Sequence, residues 1–92
     1  MIRKFRHKGL QRLYADDESR GVSADMLRKI RRILARLEVA RNPEAMNLPG
    51  WFLHPLKGQY NGFWAVSVSG NWRIVFRFQG ADVTDVDLVD YH

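Results

Sequence analysis

Between residues 26 and 40 the apolar positions recur three and four apart: Met26, Ile30, Ile33, Leu34, Leu37 and Ala40. That spacing predicts a helix with one buried stripe. Arg28, Lys29, Arg31, Arg32 and Arg36 fall largely on the other face. Such a face reads first as solvated helix surface, able to steer an anion or dock an acidic partner. Ser23 is placed as the N-cap, with Asp25 in the first turn, where a carboxylate complements the helix dipole. Asn42-Pro43 ends the helix, because a residue before proline avoids the helical region. Upstream, residues 2–6 suit a short strand and residues 9–15 a short helix with Leu10, Leu13 and Tyr14 on one side. Residues 16–21 read as a polar loop.

From residue 51 the period changes to two. Trp51-Phe52-Leu53-His54 reads as a strand, which Pro55 confines to a sheet edge or stops early, since proline has no ladder donor. After a loop at 57–62, residues 63–69 alternate, with Trp64, Val66 and Val68 on one face. Gly70-Asn71 makes a tight connection. Trp72, Ile74, Phe76 and Phe78 then face one way and Arg73, Val75 and Arg77 the other. Gln79-Gly80-Ala81 turns the chain into a last strand, residues 82–90. The expected architecture is α+β: two N-terminal helices packed on one face of a small, mainly antiparallel meander. The other face and the strand ends are left for the basic groups.

Composition narrows what such a domain can do. Ninety-two residues make one domain, residues 1–92, with a modest core. There is no cysteine, hence no disulfide framework and no thiolate metal site. The three histidines lack acidic neighbours at ligand spacing, which argues against zinc. No metal or other cofactor is expected. No apolar run approaches the ~20 residues of a membrane span, and the opening Met1-Ile2-Arg3-Lys4-Phe5-Arg6 is too charged for a signal peptide. A cytoplasmic location with no membrane contact is the expectation.

The formal charge of +5 and the pI of about 10.1 favour a polyanionic partner, nucleic acid first. The charge is unevenly spread. Arg3, Lys4, Arg6, Lys8 and Arg12 open the chain, whereas Asp82, Asp85, Asp87 and Asp90 fall on the last strand, which has no Lys or Arg. In a small fold that acidic strand must lie beside basic elements. Simple cross-strand pairing accounts for much of this, and it also places Asp90 in cationic surroundings.

The end of that strand carries the candidate chemistry. Asp90, Tyr91 and His92 can each hold or move a proton, and His54, Lys57, Arg73 and Arg77 supply further acid–base and cationic groups. Acid–base groups beside cations on a basic protein suggest work on a phosphodiester. Arginine's fork of donors matches phosphate oxygens. Arg77 is expected to pair with Asp85 or Asp87, which leaves Arg73 for phosphate. Alternation puts Asp90 and His92 on one face and Tyr91 on the other, where it either meets substrate or packs inward. His7 reads as a local cap or pairing residue.

The run His54-Pro55-Leu56-Lys57-Gly58, then Asn61-Gly62-Phe63-Trp64, then Asn71-Trp72-Arg73-Ile74, then Asp90-Tyr91-His92 closely resembles the HigB branch of the RelE-like toxins. The opening Ile2-Arg3-Lys4-Phe5 with His7-Lys8-Gly9-Leu10 matches that branch too. The resemblance covers essentially the whole chain. The His-Pro-Leu-Lys-Gly run and the Asp-Tyr-His ending are its specific parts. It implies a curved sheet of the RelE-like, microbial-RNase-like kind. It also implies a toxin of a type II toxin-antitoxin system that cleaves mRNA codons in the ribosomal A site, beside the 16S rRNA. The implied partners are that mRNA and a cognate helix-turn-helix antitoxin, with operator DNA reached only through the antitoxin complex. By motif, His54, Asp90, Tyr91 and His92 match positions used for cleavage, and Lys57 and Arg73 match cations around the scissile phosphate. Lys8 and Asn71 join them as RNA-binding candidates. Ser69 departs from the many members with arginine there, which removes one cation unless Lys57 or Lys8 compensates.

RNA supplies its own nucleophile, the 2′-OH beside the scissile phosphate. The protein has to take its proton, stabilise charge on the non-bridging oxygens and protonate the leaving 5′ oxygen. His92 or His54 would be the base and the other the acid, with Asp90 orienting an imidazole or acting as base. Tyr91 would stack on a base or help hold the phosphate. Two rivals share the features: a gyrase-poisoning toxin of the same fold, and a non-catalytic RNA- or ribosome-binding module.

Overall fold

The computed structural model describes residues 1–91; His92, one of the candidate catalytic groups, lies outside the described residues. Helix α1 spans Lys8–Asp16 and α2 spans Leu27–Val39. The strands β1 (His54–Pro55), β2 (Trp64–Ser69), β3 (Trp72–Gln79) and β4 (Asp82–Asp90) form one antiparallel sheet in the order β1-β2-β3-β4. Ile2 and Phe5 bridge in parallel to Val83 and Val86 of β4. The strand expected at residues 2–6 is therefore reduced to two isolated bridges.

All six stripe residues of the long helix are buried. They pack with Leu10, Leu13, Trp51, Val66, Ile74, Phe76, Val83 and Val86 in the main core between helices and sheet. The start of α2 differs from expectation. The Ser23 hydroxyl bonds the Asp25 carboxylate instead of a helix N–H, and Met26 N–H reaches only back to the Ser23 carbonyl. Residues 24–26 thus form a turn, and α-helical bonding begins with Ile30 N–H to the Met26 carbonyl at 3.0 Å. α1 is capped by His7, whose Nδ1 accepts from the Leu10 N–H at 3.1 Å. Its first turn lies against Gly21. A Cβ on Gly9 would sit 2.3 Å from the Gly21 carbonyl oxygen.

The strand expected from Trp51 shrinks to His54–Pro55. Phe52 has φ +51, which breaks the extended chain, and Trp51 turns into the core. Proline sits on the edge strand, where its missing donor costs the ladder nothing. The far face of the sheet is not purely basic. Leu56, Phe63, Ala65 and Val75 form a second buried cluster there, with Tyr60 and Val89 against it, and the Arg6 guanidinium lies 5.0 Å from the centre of the Phe63 ring.

Two irregularities shape the strands. β2 and β3 shift register between Ser67 and Ser69, and β3 and β4 between Val75 and Arg77. At the second, Asp85 adopts φ +54 and its buried carboxylate accepts from Arg77 Nε at 2.7 Å. Arg6 Nε lies 3.7 Å from the same carboxylate. Of the two partners expected for Arg77, Asp85 is the one used. The extra residue lets Val83 and Val86 both enter the core from one strand and adds local twist.

Candidate active site

Residues directly opposite in a ladder share a face, so the register shows where the chemistry gathers. His54 pairs with Ala65, Ala65 with Val75, and Val75 with Asp87. The next row outward is Ser67, Arg73 and Val89. Both rows lie on the sheet face away from the helices, because Val75 and Ala65 belong to the far cluster. His54 and Arg73 thus look out on the same side, and together with Ser67, Ser69, Phe52, Gly50, Gly70, Val68 and Lys29 they line a cavity of about 590 Å³. None of these residues is acidic.

Each side chain is held by local structure. His54 Nδ1 lies 2.8 Å from the Phe52 carbonyl oxygen. A carbonyl only accepts, so Nδ1 carries the proton, and in the neutral ring Nε2 is left with the lone pair. Arg73 donates from one terminal nitrogen to the carbonyls of Gly70 and Trp72, at 2.7 and 3.1 Å. These bonds clamp the guanidinium against the turn that joins β2 to β3, where Gly70 has φ +55. Its Nε is buried without a partner among the described residues. Lys29 reaches the cavity from α2 and donates to the Gly50 carbonyl at 3.3 Å. Burial, then the nearby charges of Arg32 and Arg73, hold its ammonium below the ordinary lysine pKa.

The end of β4 lies on the other side of Arg73. Asp90 pairs with Trp72, and the Tyr91 N–H donates to the Asn71 carbonyl at 2.8 Å. By alternation Tyr91 follows Val89 and shares the face of Arg73, whereas Asp90 follows Trp72. Tyr91 is exposed, so the inward packing considered for it does not occur. Arg73 is the residue common to both groups: β3 is two strands from His54 on β1 and one from the end of β4.

Not every candidate converges. Lys57 is exposed and precedes a short 3-10 helix, Gly58–Tyr60; it follows His54 in the direction away from the cavity. Lys8 lines a separate groove on α1 with Gln11, Arg12 and Asp16. Neither lies beside Ser69 in the cavity. Lys29 does, although the sequence shows it only as one of five cations on a helix face. Phe52, 71% exposed, looks in the sequence like an ordinary strand residue. Its left-handed backbone has no local sequence signal.

Helices packed on one face of a short antiparallel sheet are a fold this chain shares with solved bacterial proteins. YafQ from E. coli superposes with a TM-score of 0.58 at 13% identity, covering 98% of this chain and 91% of that one. A YoeB/ParE toxin from Agrobacterium tumefaciens gives 0.56 at 20% identity, covering 99% and 97%. Within that fold the sequence is more specific. The family model for the RelE-like toxin of the type II toxin-antitoxin system HigB matches residues 3–92. The Endoribonuclease HigB of Proteus vulgaris is 37% identical over 92 residues, all of both chains. The chain belongs to the HigB-like family of RelE-like toxins.

Proposed function

We propose that this toxin is an endoribonuclease that cuts mRNA codons in the ribosomal A site by attack of the RNA 2′-OH on the adjacent phosphate. The observation that carries the reading is the cavity, with no acid among its described lining residues, in which His54 and the clamped Arg73 share one sheet face. The 37% identity to an endoribonuclease over the full chain supports it.

His54 is the base in this reading, because the Phe52 carbonyl fixes the proton on Nδ1. Nε2 takes the 2′-OH proton, and the 2′ oxygen bonds to phosphorus. The P–O5′ bond breaks, leaving a 2′,3′-cyclic phosphate and a 5′-OH. The leaving oxygen takes its proton from the end of β4, where Asp90, Tyr91 and His92 follow one another. Arg73 stabilises the charge that builds on the non-bridging oxygens. Asn71 positions Tyr91 through its carbonyl. Lys57 and Lys8 serve RNA or ribosome contact outside the cavity. The partner that silences the toxin is an antitoxin of helix-turn-helix type, and the pair reaches operator DNA through that antitoxin.

Primer extension on ribosome-programmed message tests the proposal. The wild-type chain is expected to give discrete cuts within A-site codons, and His54→Ala, Arg73→Ala and His92→Ala are expected to lose them while staying folded. Uncut message with bound protein, or halted replication without cuts, would overturn it. Full-rate cutting by His54→Ala would overturn the assignment of the base.

A further inference from the structure

We propose that the cavity at the sheet end, which Lys29 borders from α2, seats one nucleotide of the RNA, with Lys29 and Arg73 holding its phosphate and Phe52 stacking on its base. The inference rests on the endoribonuclease reading and adds two substrate contacts to it. The cavity is large enough for a nucleotide, since about 590 Å³ lies inside the range of roughly 300–1,000 Å³ usual for small-ligand sites.

The electrostatics call for an anion. Lys29 and Arg73 border the same cavity, and none of its described lining residues is Asp or Glu. Among the described residues neither has a carboxylate partner; their hydrogen bonds go to the carbonyls of Gly50, Gly70 and Trp72. Two cations brought together and given only weak neutral acceptors repel one another until an anion arrives. The depressed pKa of Lys29, with Arg73 among its causes, agrees with this crowding. Arg3, Arg6, Arg20, Arg31 and Arg77, by comparison, each have an acidic partner.

Phe52 carries the second half. It lines the cavity, exposes 71% of its surface and holds φ +51. A bulky residue in the left-handed region is strained, and exposure of an aromatic ring gains nothing from burial. Two unfavourable features at one residue, at the mouth of a cationic cavity, fit a platform for a base, since every base offers a face to stack on. The same residue's carbonyl orients His54, so the platform and the base of the reaction are fixed to each other.

The experiment uses fluorescence anisotropy with the full chain and a single-stranded 2′-deoxy oligonucleotide, which cannot be cleaved, over a range of low salt. Phe52→Ala is expected to weaken binding about fivefold or more, Phe52→Trp to restore it, and an abasic oligonucleotide to abolish the difference. Lys29→Gln is expected to reduce the salt slope by about 0.7, one phosphate contact on a single strand, with Lys29→Arg restoring it. Arg20→Gln, an equal change in charge on a distant loop, serves as control. Phe52→Gly removes the strain, so its thermal midpoint is expected to hold or rise while binding falls. Equal binding by Phe52→Ala and wild type, a Lys29→Gln slope matching that of Arg20→Gln, or no oligonucleotide binding by the wild type overturns the inference. Binding with this pattern by a protein that leaves ribosome-bound message uncut would refute the nuclease reading alone.

Discussion

Replacing Asp85 separates two contributions that the bulge in β4 combines. Its carboxylate is buried and bonds Arg77 at 2.7 Å, with Arg6 at 3.7 Å, while its backbone sits at φ +54. A hydrogen bond to a charged group contributes about 1.5–3 kcal/mol. The Arg77 side chain is 42% exposed, so water screens the pair and rehydrates the arginine after mutation, which favours the low end. Asn tolerates the left-handed region and still accepts a hydrogen bond; Asp85→Asn is expected to lose about 1–1.5 kcal/mol. Alanine loses the bond and adds a left-handed penalty of about 1–2 kcal/mol, so Asp85→Ala should lose about 3 kcal/mol. Glycine loses the bond but not the conformation, and should fall between them. Urea unfolding followed by far-UV circular dichroism reads all three from the midpoint at constant slope. Equal stabilities for the Asn and Ala variants would refute the backbone argument, and a wild-type value for Asp85→Asn would refute the ion-pair argument.

Gly9→Ala places a Cβ 2.3 Å from the Gly21 carbonyl oxygen. It is expected to lose about 1–3 kcal/mol through overpacking, seen as a lower thermal midpoint; an unchanged midpoint would mean the two segments part freely. Glu38 accepts from Tyr14 Oη at 2.5 Å and from the Ile2 N–H at 3.0 Å, and chiefly the Tyr14 bond holds its carboxyl below the usual range. Its stabilisation is present above the ordinary carboxylate pKa and is lost as pH falls through the lowered folded value. Tyr14 is pushed up from 10.0 to about 12, first by the Glu38 bond, so its share is full below pH 10 and disappears towards 12. Urea midpoints across pH should therefore decline at both ends for the wild type and flatten for Glu38→Gln, and parallel curves would count against the link. His7→Ala removes the α1 cap and should cost about 0.5–1 kcal/mol, measured by the same unfolding; hydrogen exchange at Leu10 should quicken, and an unaltered rate would count against the cap.

The helical stripe and the hairpins were legible because each rests on a local period that burial enforces: every residue from Met26 to Ala40 in the stripe is buried. The family resemblance pointed to His54, Arg73 and the chain end; the structure brings His54 and Arg73 to one cavity and Tyr91 to the face of Arg73, with Asp90 on the other face and His92 outside the described residues. What the sequence hid depends on the third dimension. Lys29 differs from Arg28 only in bordering the stripe, next to Ile30 and four residues before Ile33, and only packing turns that border toward β2. The bulge at Asp85 left a faint trace: Val83, Val86 and Leu88 all enter the main core, a spacing that a regular strand cannot bury on one side. With the bulge, Tyr91 follows Arg73's face and Asp90 the other, a division that alternation alone could not tie to Arg73.

The two parallel bridges at the start of the chain have a consequence for assembly. β4 would otherwise present a nine-residue open edge, and Ile2 and Phe5 occupy it from Val83 to Val86. The opposite edge, β1, is two residues long and one of them is Pro55. A sheet closed off in this way offers little template for another copy to add a strand. Strand addition along β4 is thereby confined to the stretch beyond Val86, at the end of the strand that lies next to Arg73.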